Sequence, residues 1–403
     1  MRTREDCAAL DRDDPFPERR ALFDLPDGVI YLDGNSLGPP PKAALIRLDR
    51  TAREEWGEGL IKSWNEAGWM DLPLTIGQRL SPLIGAPADE ILCADTVTTL
   101  IFKLAGALIL RDGGALACER GEFPTDGHVL EGLSRVSGAR FERVAPDTRP
   151  GDLPDDVTVL VKSAVHYKTA RLADIKGLEA EAKARGLSII WDLSHATGLV
   201  DLDLAGDGAR FAVGCGYKFL NGGPGAPAFI WVDGREIASL EHPVPGWLGH
   251  ARPFDFEDPY EPGEGIVRFR TSSPSILALS TLDAALSAYE GVDMAALHAK
   301  AMALGDILLE HAAALGLGSP SPGIGEPRGG HVCLQHGQGY AIVQALIARG
   351  IIGDFRDPDL MRFGFNPLYV SYTDVYDAGA ALAEVIETEE WNRPAFTARK
   401  AVT

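Results

Sequence analysis

The chain has 403 residues and a formal net charge of −20, from 38 Lys and Arg residues against 58 Asp and Glu residues. Hydrophobic residues make up 45% of it, enough apolar surface to offset the entropy cost of folding, which excludes disorder as its main state. Because so acidic a protein offers no basic field for phosphates, we expect neither nucleic acid nor anionic membranes as partners.

Scattered cysteines and a polar N-terminus predict a cytoplasmic protein. None of the five cysteines belongs to a Cys-x-x-Cys pair, so we expect reduced, buried thiols rather than a disulfide framework or a metal site. They are Cys7, Cys93, Cys118, Cys215 and Cys333. Residues 1–6 lack the apolar core of a signal peptide, and apolar segments such as Leu104–Leu110 are too short to span a bilayer.

The first predicted elements are a polar arm over residues 1–27 and a short strand at Val29–Asp33. A turn follows at Gly34–Gly38 and Pro39–Pro41, and then a helix from Lys42. From residue 91 onward, strands and helices alternate. The predicted strands are Ile91–Ala94, Gly114–Cys118, Arg140–Val144, Val157–Val165, Leu187–Asp192, Phe211–Gly214 and Ala228–Val232, and the helices are Thr98–Leu110, Pro124–Val136 and Ile175–Arg185. This alternation predicts an α/β fold whose parallel or mostly parallel sheet is covered on both faces.

The pattern changes near Ser280, where a smaller α+β unit begins. Its predicted helices are Ile276–Tyr289, Met294–Leu315, Ala341–Arg349 and Val375–Thr388, with strands at His331–Gln335 and Arg362–Phe365 and a loop at Gly316–Gly330. We therefore expect an N-terminal arm with part of the small domain at 1–50, a large domain at 51–275 and a C-terminal small domain at 276–403.

The usual phosphate-binding motifs are missing, since neither Gly-x-x-x-x-Gly-Lys nor Gly-x-Gly-x-x-Gly occurs where a strand meets a helix. Gly34–Gly38 does match Gly-x-Ser-x-Gly, the nucleophile elbow of α/β-hydrolases. An elbow normally follows several strands of the sheet, whereas only one precedes Ser36. A serine hydrolase using Ser36 is therefore a minor alternative, and a turn that presents Ser36 for hydrogen bonding is favoured.

Two residues at strand ends favour pyridoxal phosphate (PLP) chemistry. Asp192 closes one apolar strand, and Lys218 follows another on a turn that contains Gly222, Gly223 and Gly225. Ligands of open α/β sheets bind at this edge. A lysine there can bind the cofactor aldehyde covalently, and a carboxylate can keep the pyridine nitrogen protonated. Taken singly, Lys218 could be a solvated loop lysine and Asp192 a helix cap.

Other residues suit the same cofactor. Thr98 opens a predicted helix whose free N–H groups and hydroxyl could hold a phosphate. Phe123 stands between a strand and a helix, where its ring could lie against the cofactor. The alternative reading makes Phe123 a core residue and Asp126 a helix cap.

Seven stretches in family order make the chain resemble the kynureninases, PLP enzymes of the aspartate-aminotransferase fold type I. They are Tyr31–Pro39, Phe123–Asp126, Trp191–Gly198, Tyr217–Gly225, Gly246–His250, Phe269–Pro274 and Met361–Tyr369. The Asn-Ser-Leu-Gly and Tyr-Lys-x-Leu-Asn-x-Gly-Pro-Gly pieces are the most specific.

The resemblance implies a role for each matching residue. Lys218 would bind PLP covalently, Asp192 would face the pyridine nitrogen, and Tyr217 is the candidate general acid/base. Further cofactor contacts would come from Val97, Thr98, Phe123, Asp126, Ser163, His195, Tyr217, Trp247 and Ser273, some of them across a dimer interface. Arg362 would bind the substrate α-carboxylate, and Ser36 and Trp64 would also line the substrate site. The chain departs from the family pattern at Leu100, at Leu248 and at residues 272–275. These departures bear on how the substrate is recognised.

The implied reaction is hydrolytic Cβ–Cγ cleavage of L-kynurenine to anthranilate and L-alanine in tryptophan catabolism, by a homodimer. L-kynurenine is favoured over 3-hydroxykynurenine as the substrate, and the choice between the two stays open. The nearest alternatives are a cysteine desulfurase or an aminotransferase of the same fold. A desulfurase needs a nucleophilic cysteine on a mobile loop, and Cys333 lies in an alternating strand pattern instead. A non-catalytic protein of this fold fits poorly with Lys218, Asp192 and Arg362 all present.

Overall fold

The computed structural model of the protein describes residues 1–399. The helices are α1 (Arg4–Arg12), α2 (Lys42–Arg50), α3 (Ser63–Glu66), α4 (Leu72–Ile84), α5 (Val97–Asp112), α6 (Pro124–Ser137), α7 (Ile175–Arg185), α8 (Gly234–Ile237), α9 (Ile276–Ala285), α10 (Met294–Ala314), α11 (Gly339–Ala348), α12 (Tyr372–Glu387) and α13 (Pro394–Thr397). The strands are β1 (Ile30–Tyr31), β2 (Ile91–Cys93), β3 (Ala115–Glu119), β4 (Phe141–Val144), β5 (Val157–Ser163), β6 (Ser188–Asp192), β7 (Phe211–Cys215), β8 (Ala228–Val232), β9 (His331–Gln335), β10 (Ile351–Ile352), β11 (Asp354–Arg356) and β12 (Leu360–Gly364).

A seven-stranded sheet in the order β2–β8–β7–β6–β5–β3–β4 forms the centre of the molecule. Its strands β3, β4, β5, β6 and β7 run parallel, whereas β8 runs antiparallel to β7 and β2 antiparallel to β8. The prediction of a mostly parallel sheet is confirmed. The exception at one edge arises because β7 and β8 are joined by a loop without a crossover helix, which only an antiparallel pair allows.

Helices cover both faces of this sheet. Every residue of β3, β6, β7 and β8 is buried, and two separate apolar clusters pack on the two sides. Strands buried on both faces need continuous apolar sequence, which is the pattern that predicted them.

The helix ends follow local capping rules. Thr96 caps α5 by accepting a hydrogen bond from Thr99 N, so the helix begins at Val97, one residue before the predicted start at Thr98. Asp174 caps α7 in the same way. The residue after α7, Gly186, adopts a left-handed conformation with φ of 69° that stops the helix.

A second, three-stranded antiparallel sheet in the order β11–β12–β9 belongs to the C-terminal part. The N-terminal part of the chain joins it, because β1 pairs in parallel with β10 and Asp33 bridges to Gly364. The segment after β1 is therefore held between the seven-stranded and the three-stranded sheet. This segment carries Ser36, one of the predicted site residues.

Some elements had no counterpart in the sequence analysis. The N-terminal arm contains α1, which Thr3 and Asp6 begin with a reciprocal capping box. Helix α4 was not predicted, and Pro73 stands in its first turn and Pro82 in its interior. The short strands β10 and β11 were also missed. No helix within residues 1–399 is both long and apolar enough to cross a bilayer.

Candidate active site

The candidate site lies at the carboxyl edge of the parallel strands. Ser163 is the last residue of β5 and pairs in register with Asp192, the last residue of β6. Lys218 follows the end of the next strand, β7. Parallel strands end at the same side of a sheet, so three predicted site residues are brought to one edge.

Lys218 is 8% exposed and faces an imidazole and two aromatic rings. Its Nζ lies 3.3 Å from His195 Nε2, 5.7 Å from the centre of the Phe123 ring and 5.8 Å from that of Tyr217. Burial, reinforced by the charge of Lys218, lowers the pKa of His195 well below its usual range, so this imidazole is neutral. Within residues 1–399, no carboxylate forms an ion pair with Lys218.

Two carboxyl groups approach the same pocket. Asp192 Oδ1 accepts a hydrogen bond from Ser194 N at 2.9 Å and another from the Ser194 hydroxyl. Asp126, in the first turn of α6, is 1% exposed, and neither of its oxygens has a hydrogen-bond partner in the described part of the chain. Burial, followed by the charge of Asp192, raises the pKa of Asp126 well above its usual range. An unpartnered buried carboxyl is unfavourable, so the pocket lacks a hydrogen-bond donor that a ligand would supply.

Phe123 gives the pocket a flat apolar wall. It occupies the residue before Pro124, where α6 begins, and its ring packs edge-to-face on Tyr167 at 5.4 Å between centres. Its side chain is 40% exposed, unusual for a phenylalanine at a sheet edge and open to a stacked ring. An amine, an aromatic face, the Asp192 carboxylate and the donorless carboxyl of Asp126 fit a pyridine ring that carries an aldehyde and a protonated nitrogen.

Arg362 and Ser36 are brought together although they are far apart in sequence. The guanidinium on β12 is 1% exposed, and its Nη2 donates to Ser36 Oγ at 2.8 Å. Arg362 Nη1 donates to the carbonyl oxygen of Tyr167 at 2.9 Å. Arg362, which the resemblance assigns to the substrate carboxylate, thus contacts Tyr167. Tyr167 in turn packs against Phe123.

The Gly-x-Ser-x-Gly segment does not form a hydrolase elbow. The Ser36 hydroxyl donates to Asp354, and the described residues place no imidazole against it. Its glycines permit close packing instead, since a Cβ at Gly34 would overlap the Tyr369 hydroxyl and one at Gly38 the carbonyl oxygen of Lys218. Gly38 N also donates to Tyr217 O at 2.9 Å, so this segment supports the lysine turn.

A second set of predicted residues makes no hydrogen bond or ring contact with Lys218 within residues 1–399. A cavity of about 360 Å³ is lined by Trp64, Ser273 and Thr96, among others. Thr96 caps the helix on which Val97 and the exposed Thr98 stand. Trp247, 38% exposed, stacks on Phe256 and is the neighbour of Leu248, which also lines the cavity. Within residues 1–399, the hydrogen bonds and ring contacts of Lys218 involve none of the predicted residues in this set.

Sequence reasoning missed three residues of the site. Asp354 pairs with Arg362, and Tyr167 contacts both Phe123 and Arg362. The ring of His331 lies 5.7 Å from that of His195. The Asp354 carboxylate could have been suspected from the sequence. Asp354 and Arg362 stand on either side of a turn that contains Pro358, and each alternates with apolar residues. The other two carry no local signal.

Cys333 is fully buried in β9, as the alternating pattern predicted. Burial raises the pKa of its thiol to about 12, so it carries no thiolate at neutral pH. This argues against the mobile nucleophile that a desulfurase requires.

Comparisons with known proteins agree on one family. A family model described as "Kynureninase C-terminal domain" matches residues 297–382. Curated kynureninases from Burkholderia mallei (strain SAVP1) and from Pseudomonas fluorescens are each 42% identical to this chain. Both alignments cover all of this chain and all of the relative.

Solved structures with similar folds are far more distant in sequence. A mutant of C-DES with glycine covalently linked to its PLP cofactor matches with a TM-score of 0.80 at 17% identity, over 91% of this chain and 99% of that one. The Escherichia coli cysteine desulfurase CsdA matches with a TM-score of 0.76 at 16% identity, over 92% and 98%. At such low identity the likeness shows the fold alone, and it confirms the predicted fold class of PLP-dependent fold type I enzymes.

Proposed function

The chain belongs to the kynureninase family, and from this premise we propose that it hydrolyses L-kynurenine between Cβ and Cγ to anthranilate and L-alanine. It is a PLP-dependent hydrolase that acts on a carbon–carbon bond of a small ketonic substrate. The observation that carries the proposal is the buried Lys218, set with Asp192 and Phe123 at one sheet edge, in a chain 42% identical to kynureninases over its full length.

PLP, when bound at Lys218, supplies an electron sink for the charge left when a bond to the adjacent substrate carbon breaks. We propose that Asp192 holds a proton at the ring nitrogen, with Asp126 beside it, and that Phe123 covers one ring face. Ser163 and His195 are further cofactor contacts in this proposal. The Nζ of Lys218, as a free amine, would take the Cα proton. Because His195 is neutral, it adds no second positive charge next to this amine.

Arg362 binds the substrate α-carboxylate in this proposal, because a planar guanidinium offers directed donors to a carboxylate. Ser36 lies beside it as a second polar contact. Anchoring the carboxylate fixes which substituent of Cα points toward Lys218, so binding and orientation come from the same residue.

Tyr217 is the proposed general acid/base for hydration of the γ-carbonyl. Burial raises the pKa of Tyr217 above its usual range, so its hydroxyl stays protonated at neutral pH and can donate to the carbonyl oxygen as water adds. Its ring lies next to Lys218, which keeps both proton-transfer groups close to the same substrate carbons.

A homodimer would give a use to some of the predicted residues that do not contact Lys218. We propose that Val97 and Thr98 meet the cofactor phosphate, and that Ser273 and Trp247 reach it across the dimer interface. Trp64 would line the aryl pocket, with the unsubstituted substrate preferred to 3-hydroxykynurenine. Exposed apolar side chains near the cavity of Trp64 and Ser273 support this pairing, as argued in the Discussion.

The proposed domain limits are 1–50 for the arm and part of the small domain, 51–275 for the large domain and 276–403 for the small domain. A cytoplasmic location is proposed as well. The five cysteines support it, because all are buried free thiols, as expected in a reducing compartment.

Two variants test the function. Purified protein should show a visible absorbance band that disappears in Lys218→Ala, and fluorescence should detect anthranilate released from L-kynurenine by the wild type alone. Arg362→Ala should keep the absorbance band but bind substrate more weakly by about 2–5 kcal/mol, the loss typical of a broken charge-assisted pair. Borohydride trapping that leaves Lys218 unmodified in cofactor-saturated protein would contradict the proposal.

A further inference from the structure

Asp354 holds the guanidinium of Arg362 in a single orientation. Arg362 Nε donates to Asp354 Oδ1 at 2.8 Å, and its Nη2 donates to Oδ2. Asp354 is 2% exposed and Arg362 1% exposed, so water does not compete for this bidentate pair. The pair spans β11 and β12, where the two residues face each other in register.

The remaining donors of Arg362 are almost all occupied. A guanidinium has five N–H bonds. Two go to Asp354, one from Nη2 goes to Ser36 Oγ, and one from Nη1 goes to Tyr167 O. One N–H, on Nη1, is therefore left without a partner among residues 1–399; we call this part of the guanidinium, next to the groups bonded to Tyr167 and Ser36, the Nη1 corner.

Charge at this cluster favours an anion. Arg356 Nη2 lies 2.8 Å from Asp354 Oδ2, so one carboxylate is shared by two guanidinium groups. The other acid nearby, Asp33, is a weaker counterion than Asp354, because burial, followed by the charge of Asp354, raises the pKa of Asp33 well above its usual range. Arg356 and Arg362 against Asp354 leave one surplus positive charge.

Ser36 links these groups through one oxygen. Its hydroxyl donates to Asp354 Oδ2 and accepts from Arg362 Nη2 at 2.8 Å and from Arg356 Nη2 at 3.3 Å. A hydroxyl can turn its proton from Asp354 to a newly bound anion without moving its oxygen. The corner that holds the free N–H of Arg362 therefore has a second donor available.

We propose that Asp354 is a positioning residue that presents the free Nη1 corner of Arg362 to the substrate α-carboxylate, and that Arg356 supplies the surplus charge which selects a monocarboxylate. The inference rests on the proposed function, in which Arg362 binds that carboxylate. Asp354 itself touches no substrate in this scheme. It acts by fixing where the guanidinium points.

The test compares two ligands that differ only in the α-carboxylate. Binding of L-kynurenine and of its decarboxylated amine, kynuramine, is measured on the holoenzyme as inhibition or substrate constants. Asp354→Asn places an amide donor against the donors of Arg362, so we expect the preference for L-kynurenine to fall about tenfold or more. The affinity for kynuramine and the cofactor absorbance should change little.

Arg356→Gln is the second variant, chosen because Arg356 is the most exposed member of the cluster and its loss threatens folding least. It should lower the preference several-fold by removing the surplus charge. Asp357→Asn is the matched control, since this exposed carboxylate lies on the same hairpin and, among residues 1–399, forms its ion pair with Arg399 at the surface. It should leave the preference unchanged.

The outcomes separate the two claims. Wild-type enzyme without any preference for L-kynurenine would contradict the proposed role of Arg362 itself. A wild-type preference that persists in Asp354→Asn, or a loss of affinity for both ligands alike, would overturn the positioning role. If Asp354→Asn does not fold, Arg356→Gln decides, and an unchanged preference in that variant overturns the inference.

Discussion

Buried groups without partners mark this site at the scale of single residues. Asp126 has two buried oxygens and no donor, while Arg362 has nearly every donor occupied. Buried polar groups are usually paired within the protein, so Asp126 departs from the rule and Arg362 follows it closely. The first points to a missing ligand and the second to a residue whose orientation is fixed before any substrate arrives.

Asp126→Asn should stabilise the cofactor-free protein more at high pH than at low pH. Burial raises the pKa of Asp126 in the folded state, so the aspartate is tolerated at low pH and destabilises as pH rises through that raised value. The asparagine has no such dependence. We expect a gain of about 1–3 kcal/mol near pH 8 that shrinks toward pH 5, measured by thermal unfolding of both apo-proteins. An equal difference at both pH values would contradict the assignment.

Cys333→Ala should leave catalysis intact. The thiol is buried in β9, and burial raises its pKa to about 12, so it is neither accessible nor ionised. Anthranilate release should stay within about twofold of wild type, with a stability loss of about 1 kcal/mol for the small cavity. Sulfide release from cysteine should be absent from both proteins. A tenfold fall in anthranilate release would revive a role for this thiol.

Contacts between distant segments build the site at the scale of elements. The turn after β1 supports the lysine turn after β7 through the hydrogen bond from Gly38 N to Tyr217 O. The start of α5 is tied to residue 269, since Lys103 Nζ bonds both Asp95 and the carbonyl oxygen of Phe269 at 2.8 Å. Each tie fixes a segment that the proposal assigns to the cofactor.

Gly38→Ala should weaken cofactor binding. Its Cβ would overlap the backbone oxygen of Lys218, and neither backbone can yield without displacing the lysine turn. We expect a loss of cofactor affinity of about tenfold or more, measured by titrating apo-protein with PLP. Gly132→Ala is the matched control, because a Cβ there meets open space on α6 and should stabilise the helix by about 1 kcal/mol. Equal affinities in both variants would contradict the argument.

Lys103→Met should destabilise the protein and loosen the start of α5. Lys103 is fully buried, and its loss leaves Asp95 with less compensation and Phe269 O without its donor. We expect a cost of about 2–3 kcal/mol, reduced because Asp95 is partly exposed, read from urea unfolding. Lys176→Met, on the exposed side of α7, should cost under about 0.5 kcal/mol. A similar cost for both would argue against the buried tie.

At the scale of the whole molecule, exposed apolar residues near one cavity bear on whether the chain associates with a second copy. Leu60 and Ile61 precede Trp64 in sequence and are 59% and 78% exposed, and beyond Leu248 the rings of Phe254 and Phe256 are 61% and 76% exposed. Trp64 and Leu248 line the same cavity. Clustered exposed apolar groups mark interaction surfaces, and a second copy of the chain would cover them.

Phe256→Glu should therefore convert the proposed dimer into a monomer and weaken cofactor binding at the same time, because a buried charge at the interface lacks a partner. Light scattering after gel filtration measures the mass, and PLP titration measures the affinity. Leu110→Glu is the control. Leu110 is 66% exposed and lies near the C-terminal end of α5, so its substitution should leave the dimer intact. A wild-type protein that elutes as a monomer would contradict the pairing.

Much of the fold was predictable because its signals are local. Thr96, Asp174 and Gly186 delimit their helices through contacts a few residues away, and the apolar runs that become β6 and β7 are continuous in sequence. Helix α4 escaped prediction because Pro82 lies in its interior, where proline normally argues against a helix, whereas Pro73 is tolerated in the first turn; the helix packs against β2.

The α/β class, the order of most elements and the placement of Asp192 at the end of one strand and of Lys218 after another could all be predicted from the sequence, because strand pattern and caps depend on neighbouring residues. The contacts of Asp354, Ser36 and Tyr167 with Arg362, and the lack of a donor to Asp126 within residues 1–399, became visible in the three-dimensional structure. Those contacts join segments far apart in the chain, so they follow from how the two sheets and the N-terminal segment pack, which no local pattern encodes.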